Sequence, residues 1–187
     1  MDAARDDTPL IETLPETVVE ALARTALVAF DVDGCLTDGR VVHGPEGETQ
    51  SFDVHDGLGL KLLQREGITL CWITGRGSAA THKRAEELGI TELFTQSGPK
   101  DVVLTHIQER LGISPEGTVS MGDDLPDLGL ARRSAVFVAP HNARAEIRER
   151  AQLGTRAGGG RGAVRELCEL ILRAKGRWDE IVGAAAG

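Results

Sequence analysis

The sequence predicts an α/β protein built on a Rossmann-like, doubly wound parallel sheet, and three observations support this prediction. Short apolar runs of strand length alternate with amphipathic helical segments along most of the chain. The run "ALVAFDV" is typical of a strand that is buried on both faces, as strands of parallel sheets are. This run and the later "GTVSMGDD" both end in acidic residues, at the edge where such sheets bind their ligands.

The length of 187 residues fits one domain with a substantial core. We expect a flexible N-terminal tail over residues 1–12, a single domain over residues 13–180 and a flexible C-terminal tail over residues 181–187. The net charge of −8 argues against nucleic acid or an anionic membrane as a partner. Three scattered cysteines and an acidic N-terminus without a leader pattern favour the reducing cytoplasm, and no apolar run is long enough to span a membrane.

The first part of the chain predicts a helix, a strand and a hairpin. The segment "LPETVVEALART" is helical in character, with Pro15 near its start, and "ALVAFDV" follows as the first strand. The stretch "GRVVHGPEGETQSFDV" has two short apolar runs around the turn signal "GPEG", which predicts a β-hairpin. This hairpin is an insertion into an otherwise alternating pattern.

The rest of the chain repeats helix and strand. Helices are expected in "GLGLKLLQREG", "SAATHKRAEELG" and "KDVVLTHIQERLG", and strands in "ITLCWIT", "ELFTQ" and "GTVSMGDD". A short helix near Leu128, the strand "SAVFVA" and a helix over residues 142–150 follow. The segment "AVRELCELILRAKG" predicts the last helix, because its apolar residues fall on one stripe.

Polar side chains follow three of the predicted strands, and they form the candidate site. The carboxyl ends of parallel strands meet at one edge of a sheet, so these side chains are expected to lie together. Carboxylates gathered there repel one another unless a cation lies between them, and a set of oxygen ligands favours Mg²⁺. Lys100 begins a helix at the same edge and could supply positive charge to an anionic substrate. The side chains after the strands are Asp31, Asp33, Thr74, Asp123, Asp124 and Asp127.

This combination of residues is suited to one type of reaction. An aspartate beside a metal, a second aspartate two residues later, a hydroxyl and a lysine meet the needs of phosphoryl transfer through an aspartyl-phosphate. Hydrolysis of phosphate monoesters is among the slowest uncatalysed reactions, with accelerations of up to about 10²¹. The enzyme must therefore position and neutralise its substrate extensively.

The motifs "DVDGCLTDG", "ITGR", Lys100 and "GDDLPD", in this order, resemble the four motifs of the haloacid dehalogenase superfamily of phosphatases. The segments "FDVHDGLGLKLL" and "TRAGGGRGAVRELCELIL" are similar to those of the 3-deoxy-D-manno-octulosonate 8-phosphate phosphatase family. The resemblance extends from about residue 14 to residue 180. It implies a phosphatase domain without a large cap domain, a Mg²⁺ cofactor, a sugar-acid phosphate as substrate and a homotetramer with the hairpin over residues 41–52 between subunits.

The resemblance also implies the roles of the catalytic residues. Asp31 would be the nucleophile, and Asp33 the general acid and then the general base. Asp31, the backbone carbonyl of Asp33 and Asp123 would hold Mg²⁺. Thr74 would hydrogen-bond the phosphoryl group and Lys100 would neutralise the phosphoaspartate. Two further aspartates would support these groups, namely Asp124 and Asp127.

Substrate binding would involve residues from other parts of the chain. The motif "ITGR" contributes Gly75 and Arg76, and the glycine-rich tail contributes Arg161, which with Gly159 and Gly160 would approach a neighbouring active site. Where the family usually has "VRDG", this chain has "VHDG". His55 therefore replaces an arginine that is expected to face the carboxylate of the sugar acid.

Three alternatives to this substrate and activity follow. Because of His55, a nonulosonate 9-phosphate of the sialic-acid type is a second candidate substrate for the same catalytic residues. A signalling receiver domain also combines aspartates, a threonine and a lysine on a parallel sheet, but the D-x-D spacing and the later "GDD" argue against it. A non-enzymatic oligomerisation module of the same fold is the third alternative, although every motif residue is retained.

Overall fold

The computed structural model describes residues 10–45 and 47–187. Six strands form a parallel sheet and two form a separate antiparallel hairpin. In chain order the strands are β1 (Leu27–Phe30), β2 (Val42–Gly44), β3 (Gly47–Thr49), β4 (Thr69–Ile73), β5 (Glu92–Phe94), β6 (Thr118–Met121), β7 (Val136–Ala139) and β8 (Leu153–Gly154).

Helices cover both faces of the parallel sheet. In chain order they are α1 (Glu16–Ala23), α2 (Val54–Arg65), α3 (Ala79–Leu88), α4 (Lys100–Leu111), α5 (Leu128–Ala131), α6 (Ala145–Arg148), α7 (Ala163–Ala174) and α8 (Trp178–Ala186). Single 3₁₀ turns precede α1, β6 and α5, at Leu10–Thr13, Pro115–Gly117 and Leu125–Asp127.

The parallel sheet is buried on both sides, which confirms the predicted doubly wound fold. Val28 and Phe30 of β1 belong to the core shared with α1, α2 and α7. Leu27 and Ala29 of the same strand belong to the core shared with α4, α5 and α6. This alternation follows from the two-residue period of strand side chains. Between β1 and α2 the described residues form a helical turn over Val32–Leu36 and the β2–β3 hairpin, so they include no large cap domain.

The strand order places the acidic clusters side by side. The sheet runs β5-β4-β1-β6-β7-β8, so the chain fills one side of β1 and then crosses to the other. In register, Phe30 pairs with both Trp72 of β4 and Met121 of β6. The residues that follow these three positions therefore emerge together at the carboxyl edge. Ligands of such sheets bind in the crevice at the point where the strand order reverses, which here lies between β1 and β6.

A buried carboxylate joins α2 to α7. Asp56 Oδ1 accepts a hydrogen bond from the backbone N–H of Arg165 at 2.7 Å, in the first turn of α7. Asp56 is only 2% exposed, and among the described residues its Oδ2 has no hydrogen-bond partner. Burial raises the pKa of Asp56 to about 6, although the N–H of Arg165 opposes this rise.

Two segments differ from the sequence-based prediction. The helix expected over residues 142–150 is limited to α6, because Asn142 uses its side chain to bridge other loops and the backbone turns at Pro140. The strand β8 is not predicted, since it has only two residues. It nevertheless adds a parallel sixth strand at the edge, where Val138 pairs with Leu153.

The predicted chain ends also differ. Residues 181–187 were expected to form a flexible tail, but α8 continues to Ala186. Trp178 anchors this helix, because the guanidinium groups of Arg165 and Arg173 lie 5.4 and 5.3 Å from the centre of its ring. Residues 1–9 of the predicted N-terminal tail lie outside the described residues, and residues 10–12 belong to a turn that packs on the core. In the described part of the chain, none of the helices is long and apolar enough to cross a lipid bilayer.

Candidate active site

A cleft of about 780 Å³ opens at the carboxyl edge of β1, β4 and β6. Nine of the eleven predicted site residues line it, and they come from four separate loops. The structure therefore brings together side chains that are far apart in sequence, such as Asp31 and Asp127, which are 96 positions apart. The nine residues are Asp31, Asp33, Thr74, Gly75, Arg76, Lys100, Asp123, Asp124 and Asp127.

Lys100 and two aspartates form a buried ionic cluster in this cleft. Lys100 Nζ donates to Asp31 Oδ1 at 2.5 Å and to Asp127 Oδ1 at 2.6 Å. Burial lowers the pKa of Lys100, but the two carboxylates outweigh burial and raise it above its usual value. Burial, and then the charge of Asp127, raise the pKa of Asp31 well above its usual value, while Lys100 opposes both. Lys100 is therefore a fixed cation beside Asp31.

Asp127 also holds the loop after β6. Its Oδ2 accepts hydrogen bonds from the backbone N–H groups of Asp123 and Asp124 at 2.9 and 3.2 Å. Asp124 in turn begins the turn Leu125–Asp127, with its Oδ1 accepting from the N–H of Leu125 at 2.8 Å. Asp127 thus contacts both the Lys100 ammonium group and the backbone that carries Asp123. The supporting roles of Asp127 and Asp124 in catalysis stay predictions.

The donor set fits a hard divalent cation. Carboxylate oxygens of Asp31 and Asp123 lie within 4.8 Å of each other and of the Cys35 thiol. Burial, followed by the charges of Asp127 and Asp124, raises the pKa of Asp123 to about 6, which is the effect expected of carboxylates that lack a neutralising cation. Burial also raises the pKa of Cys35, so its sulfur stays a neutral thiol, a poor ligand for a hard ion.

The turn after β1 is built tightly around this position. Gly34 has a φ of +95°, a conformation that side chains rarely adopt. A Cβ atom at Gly34 would lie 2.1 Å from Asp123 Oδ2, so any larger residue would displace that carboxylate. The "DVDGC" sequence therefore needs glycine both for the turn and for the close approach of the two strand ends.

Asp33 lies nearer the cleft mouth and is less buried than Asp31. Its Oδ2 accepts from Thr74 Oγ1 at 3.0 Å, and its Oδ1 accepts from Gln50 Nε2 at 2.7 Å. Thr74 Oγ1 also accepts from the backbone N–H of Arg76 at 3.0 Å. Two elements far from β1 in sequence thus fix the Asp33 carboxyl group. The sequence does not reveal this role of Gln50, because a glutamine after a hairpin looks the same in sequence as a glutamine exposed to solvent.

The loop after β4 provides the cation at the cleft mouth. Arg76 lines the cleft and pairs with Glu48 of β3 at 2.6 Å, while its Nε lies 3.9 Å from Asp33 Oδ1. Gly75 is exposed, and a Cβ atom there would contact nothing. The side chain of Arg76 is about half exposed, so it stays accessible to an anionic ligand despite the ion pair.

The structure places the other two predicted substrate-binding residues outside the cleft of this chain. The His55 side chain is 76% exposed, and its Nδ1 lies 3.3 Å from Asp53 Oδ1. The Arg161 side chain is 71% exposed, 4.0 Å from Asp38 Oδ2, and lines a separate small pocket. Their roles in substrate binding stay predictions.

The glycine-rich segment before α7 supports the catalytic loop of its own chain. Asn142 Nδ2 donates to the carbonyl of Gly34 at 2.9 Å, and its Oδ1 accepts from the N–H of Gly159 at 2.6 Å. The N–H of Gly160 donates to the carbonyl of Cys35 at 3.0 Å. A Cβ atom at Gly159 would lie 1.8 Å from the Gly34 carbonyl oxygen, so the segment needs glycine there. An approach of Gly159 and Gly160 to a neighbouring active site stays a prediction, and the sequence pattern gives no sign of the bridging role of Asn142.

Comparisons with known proteins agree with this geometry. The 3-deoxy-D-manno-octulosonate 8-phosphate phosphatase KdsC of Escherichia coli (strain K12) is 37% identical over 167 residues, which cover 89% of each chain. The phosphatase of the same name from Moraxella catarrhalis, in complex with magnesium ion, phosphate ion and KDO, has a TM-score of 0.87 at 39% identity. That match covers 91% of this chain and 99% of the other.

A third match concerns the wider group. A structure from Legionella pneumophila, described as a hydrolase of the HAD superfamily, subfamily III A, has a TM-score of 0.86 at 37% identity and covers 97% of this chain and 99% of the other. No family model matches the sequence.

The parallel sheet and the cluster of Asp31, Lys100 and Asp127 define a hydrolase of the haloacid dehalogenase superfamily. Within it, the chain belongs to the 3-deoxy-D-manno-octulosonate 8-phosphate phosphatase family. It is accordingly a phosphoric monoester hydrolase by family, and not a receiver domain.

Proposed function

We propose that the protein is a Mg²⁺-dependent phosphatase that converts 3-deoxy-D-manno-octulosonate 8-phosphate to the free sugar acid and phosphate through an aspartyl-phosphate on Asp31. One observation carries the proposal. The Asp31 carboxylate lies in the cleft beside both the Lys100 ammonium group and the Asp123 carboxylate. A carboxylate nucleophile for a phosphate ester needs nearby positive charge, because two anions otherwise repel each other.

The charges around Asp31 explain why a metal is needed. Asp31, Asp123 and Asp127 are countered by the single positive charge of Lys100. A phosphate ester adds further negative charge to this cluster. Asp31 and Asp123, with the backbone carbonyl of Asp33, would hold Mg²⁺, which when bound supplies positive charge to the phosphoryl oxygens.

In the first half of the proposed reaction, Asp31 takes the phosphoryl group. One Asp31 oxygen forms a bond to phosphorus while the bond between phosphorus and the sugar oxygen breaks. Asp33 donates a proton to that sugar oxygen, which leaves as an alcohol. Lys100 stays beside Asp31 and offsets the negative charge of the phosphoaspartate. The Thr74 hydroxyl donates to Asp33 Oδ2 and lines the cleft in which the phosphoryl group would bind.

In the second half of the proposed reaction, water releases the phosphate. Asp33 is now a carboxylate, and it accepts a proton as the water oxygen attacks phosphorus. The bond from phosphorus to Asp31 breaks, phosphate leaves, and Asp31 and protonated Asp33 are restored. The same residue serves as acid and then as base, so its position relative to the phosphoryl group must be fixed throughout.

The eight-carbon substrate is supported by the relatives, and His55 keeps a second substrate under consideration. The family usually has an arginine at that position, and an imidazole cannot form the bidentate pair that a guanidinium group forms with a carboxylate. A nonulosonate 9-phosphate presents the same phosphate on a longer chain. The same catalytic residues would serve either substrate.

The experiment is steady-state phosphate release from a panel of sugar-acid phosphates with Mg²⁺ and with excess chelator. We expect turnover of the octulosonate 8-phosphate that depends on Mg²⁺ and is abolished in Asp31→Asn. Strong activity on a nonulosonate 9-phosphate with little on the octulosonate 8-phosphate would replace the substrate. Equal, slow hydrolysis of every ester by wild type and Asp31→Asn would instead favour the non-enzymatic oligomerisation module.

We also propose a homotetramer, with the hairpin between subunits, in a cytoplasmic location. Three apolar side chains near the hairpin and the start of α2 support this assembly, because they are strongly exposed in one chain. Light scattering on the purified protein tests it, and a monomeric mass would contradict it. The exposed fractions are 58% for Val42, 73% for Val54 and 48% for Leu58.

A further inference from the structure

Gln50 lies where the hairpin rejoins the domain, directly after β3, and its amide touches three other side chains. Its Nε2 donates to Asp33 Oδ1 at 2.7 Å. Its Oε1 accepts from Thr81 Oγ1 at 2.7 Å and from the Ser78 hydroxyl. Every heavy polar atom of this amide thus has a partner, and the partners belong to the turn after β1 and to the start of α3.

The orientation of the Gln50 amide is set by chemistry. Asp33 Oδ1 accepts a hydrogen bond both in the carboxylate and in the carboxylic acid that carries its proton on Oδ2, so the atom that faces it is the NH₂ group. The amide oxygen then faces Ser78 and Thr81, whose hydroxyls can both donate. Ser78 also caps α3, with its Oγ accepting from the Thr81 N–H at 3.0 Å, so these hydroxyls are held by a helix terminus.

This arrangement leaves the Asp33 carboxyl group little freedom to rotate. Oδ1 is held by Gln50 and Oδ2 by Thr74, each through one hydrogen bond. Each oxygen keeps a second lone pair, so the group can still exchange a proton with a leaving group or a water in the cleft. Without Gln50, Thr74 would still hold Oδ2, but among the described residues Oδ1 would keep only the long contact from Arg76 Nε, at 3.9 Å.

We propose that Gln50 is a positioning residue for proton transfer. Ser78 and Thr81 at the start of α3 fix its amide, and the amide in turn fixes the orientation of the Asp33 carboxyl group. This inference rests on the proposed function, in which Asp33 protonates the leaving oxygen. It gives the hairpin segment a role in catalysis besides the proposed assembly, because Gln50, which directly follows β3, holds the general acid. A structural alternative is that Gln50 only attaches the hairpin to α3.

Two aryl phosphate substrates distinguish a role of Gln50 in positioning Asp33 from a role in attaching the hairpin to α3. Phenyl phosphate and p-nitrophenyl phosphate have nearly the same shape and lack the sugar acid, but p-nitrophenolate is a far weaker base and leaves with little help from an acid. The parameter is kcat/KM, because it reports the steps up to the first bond cleavage. In Gln50→Met we expect kcat/KM for phenyl phosphate to fall about tenfold, part of the effect of a general acid, with a much smaller change for p-nitrophenyl phosphate.

Four further variants complete the experiment. Gln50→Glu keeps an oxygen for Ser78 and Thr81 but replaces the donor to Asp33, so it is expected to behave like Gln50→Met. Thr81→Val removes one hydroxyl from the Gln50 amide and is expected to give a smaller loss in the same direction. Ser51→Ala is the matched control, since Ser51 is an exposed neighbour, and it should leave both rates unchanged. Asp33→Asn removes the general acid itself, so it gives the largest expected fall in kcat/KM for phenyl phosphate relative to p-nitrophenyl phosphate.

The outcomes are distinct from those of the proposed function. Equal losses on both esters, or no loss on phenyl phosphate, would overturn the positioning role while wild-type turnover upholds the phosphatase. If Gln50→Met does not fold, Thr81→Val decides by the same comparison. Wild-type protein that hydrolyses neither aryl ester nor any sugar-acid phosphate would overturn the phosphatase and this inference with it. Rejection of the octulosonate substrate alone would leave the aryl comparison valid.

Discussion

The ammonium nitrogen of Lys100 lies 2.6 Å from Asp127 Oδ1, and both side chains are almost fully buried, at 7% and 2% exposed. Neither charge can be solvated by water in this position, so each depends on its protein partners. Because the same ammonium group also binds Asp31, removal of the lysine would leave two buried carboxylates without a cation. The site is therefore coupled to the stability of the fold.

Lys100→Met tests this coupling. We expect a loss of roughly 3 kcal/mol in the free energy of unfolding at neutral pH without metal, as is typical when one partner of a buried ion pair is removed. Urea denaturation of wild type and variant measures it. Lys83→Met is the control, because Lys83 is exposed, and we expect it to change stability by no more than about 0.5 kcal/mol. A similar stability for all three proteins would contradict the coupling.

Magnesium is expected to stabilise the folded protein by binding at Asp31 and Asp123. A ligand that binds only the native state at 100 times its Kd adds about 2.7 kcal/mol, which raises the melting temperature. Thermal denaturation with and without Mg²⁺ measures this shift. The shift should disappear in Asp123→Asn, which loses a charged ligand. Exposed Glu109→Gln should retain it, and an undiminished shift in Asp123→Asn would place the metal elsewhere.

Asp56 is expected to make the protein less stable as pH rises. Its folded pKa of about 6 lies above the usual 3.8, so the folded state binds more protons between these values. Stability from this group is complete below about pH 4 and is lost as pH rises through about 6, by roughly 3 kcal/mol in total. The comparison is the difference in unfolding free energy between pH 4 and pH 7.

The matched variant for this comparison is Asp56→Asn. Its amide oxygen can still accept the N–H of Arg165, but the residue does not titrate. The decrease from pH 4 to pH 7 should therefore be smaller in the variant, while all other titrating groups contribute equally to both proteins. Identical pH profiles would show that Asp56 keeps an ordinary pKa.

Gly159→Ala is expected to impair catalysis by moving the loop after β1. The new Cβ would lie 1.8 Å from the carbonyl oxygen of Gly34, so the backbone at Gly34 or at residue 159 would have to shift. We expect kcat to fall by at least about tenfold, since displacements near 1 Å at a reacting centre can cost about a hundredfold. Gly154→Ala is the control, because its nearest neighbour would lie at 3.9 Å. Equal kcat values for the two variants would contradict the prediction.

Much of the site could be predicted from sequence because its chemistry coincides with strand ends. A run of buried residues precedes each of Asp31, Thr74 and Asp123. Parallel strands bring their carboxyl ends together independently of the conformation of the loops. The remaining contacts depend on loop conformation. Gln50 and Asn142 act through single hydrogen bonds to distant residues, and no local periodicity or spacing marks them.

The structure of the C-terminal segment also depends on contacts that the local sequence does not reveal. A sequence rich in alanine and glycine after residue 181 is compatible with either a helix or a tail, and its own propensity does not decide between them. The deciding contact is the ring of Trp178, which lies against both Arg165 and Arg173, about two turns apart on α7. Tertiary packing thus selects α8.

The bridges from Asn142 to Gly34 and from Asp56 to Arg165 join positions 108 and 109 residues apart. During synthesis a ribosome therefore releases the nucleophile long before it releases the segments that support its loop. Pairings of such long range form late, because the chain must close large loops first. A nascent chain that ends before α7 would carry every acidic residue of the cleft but would lack the contact from Asp56 to Arg165, so we expect the cleft to take its final form only as the last helices leave the ribosome.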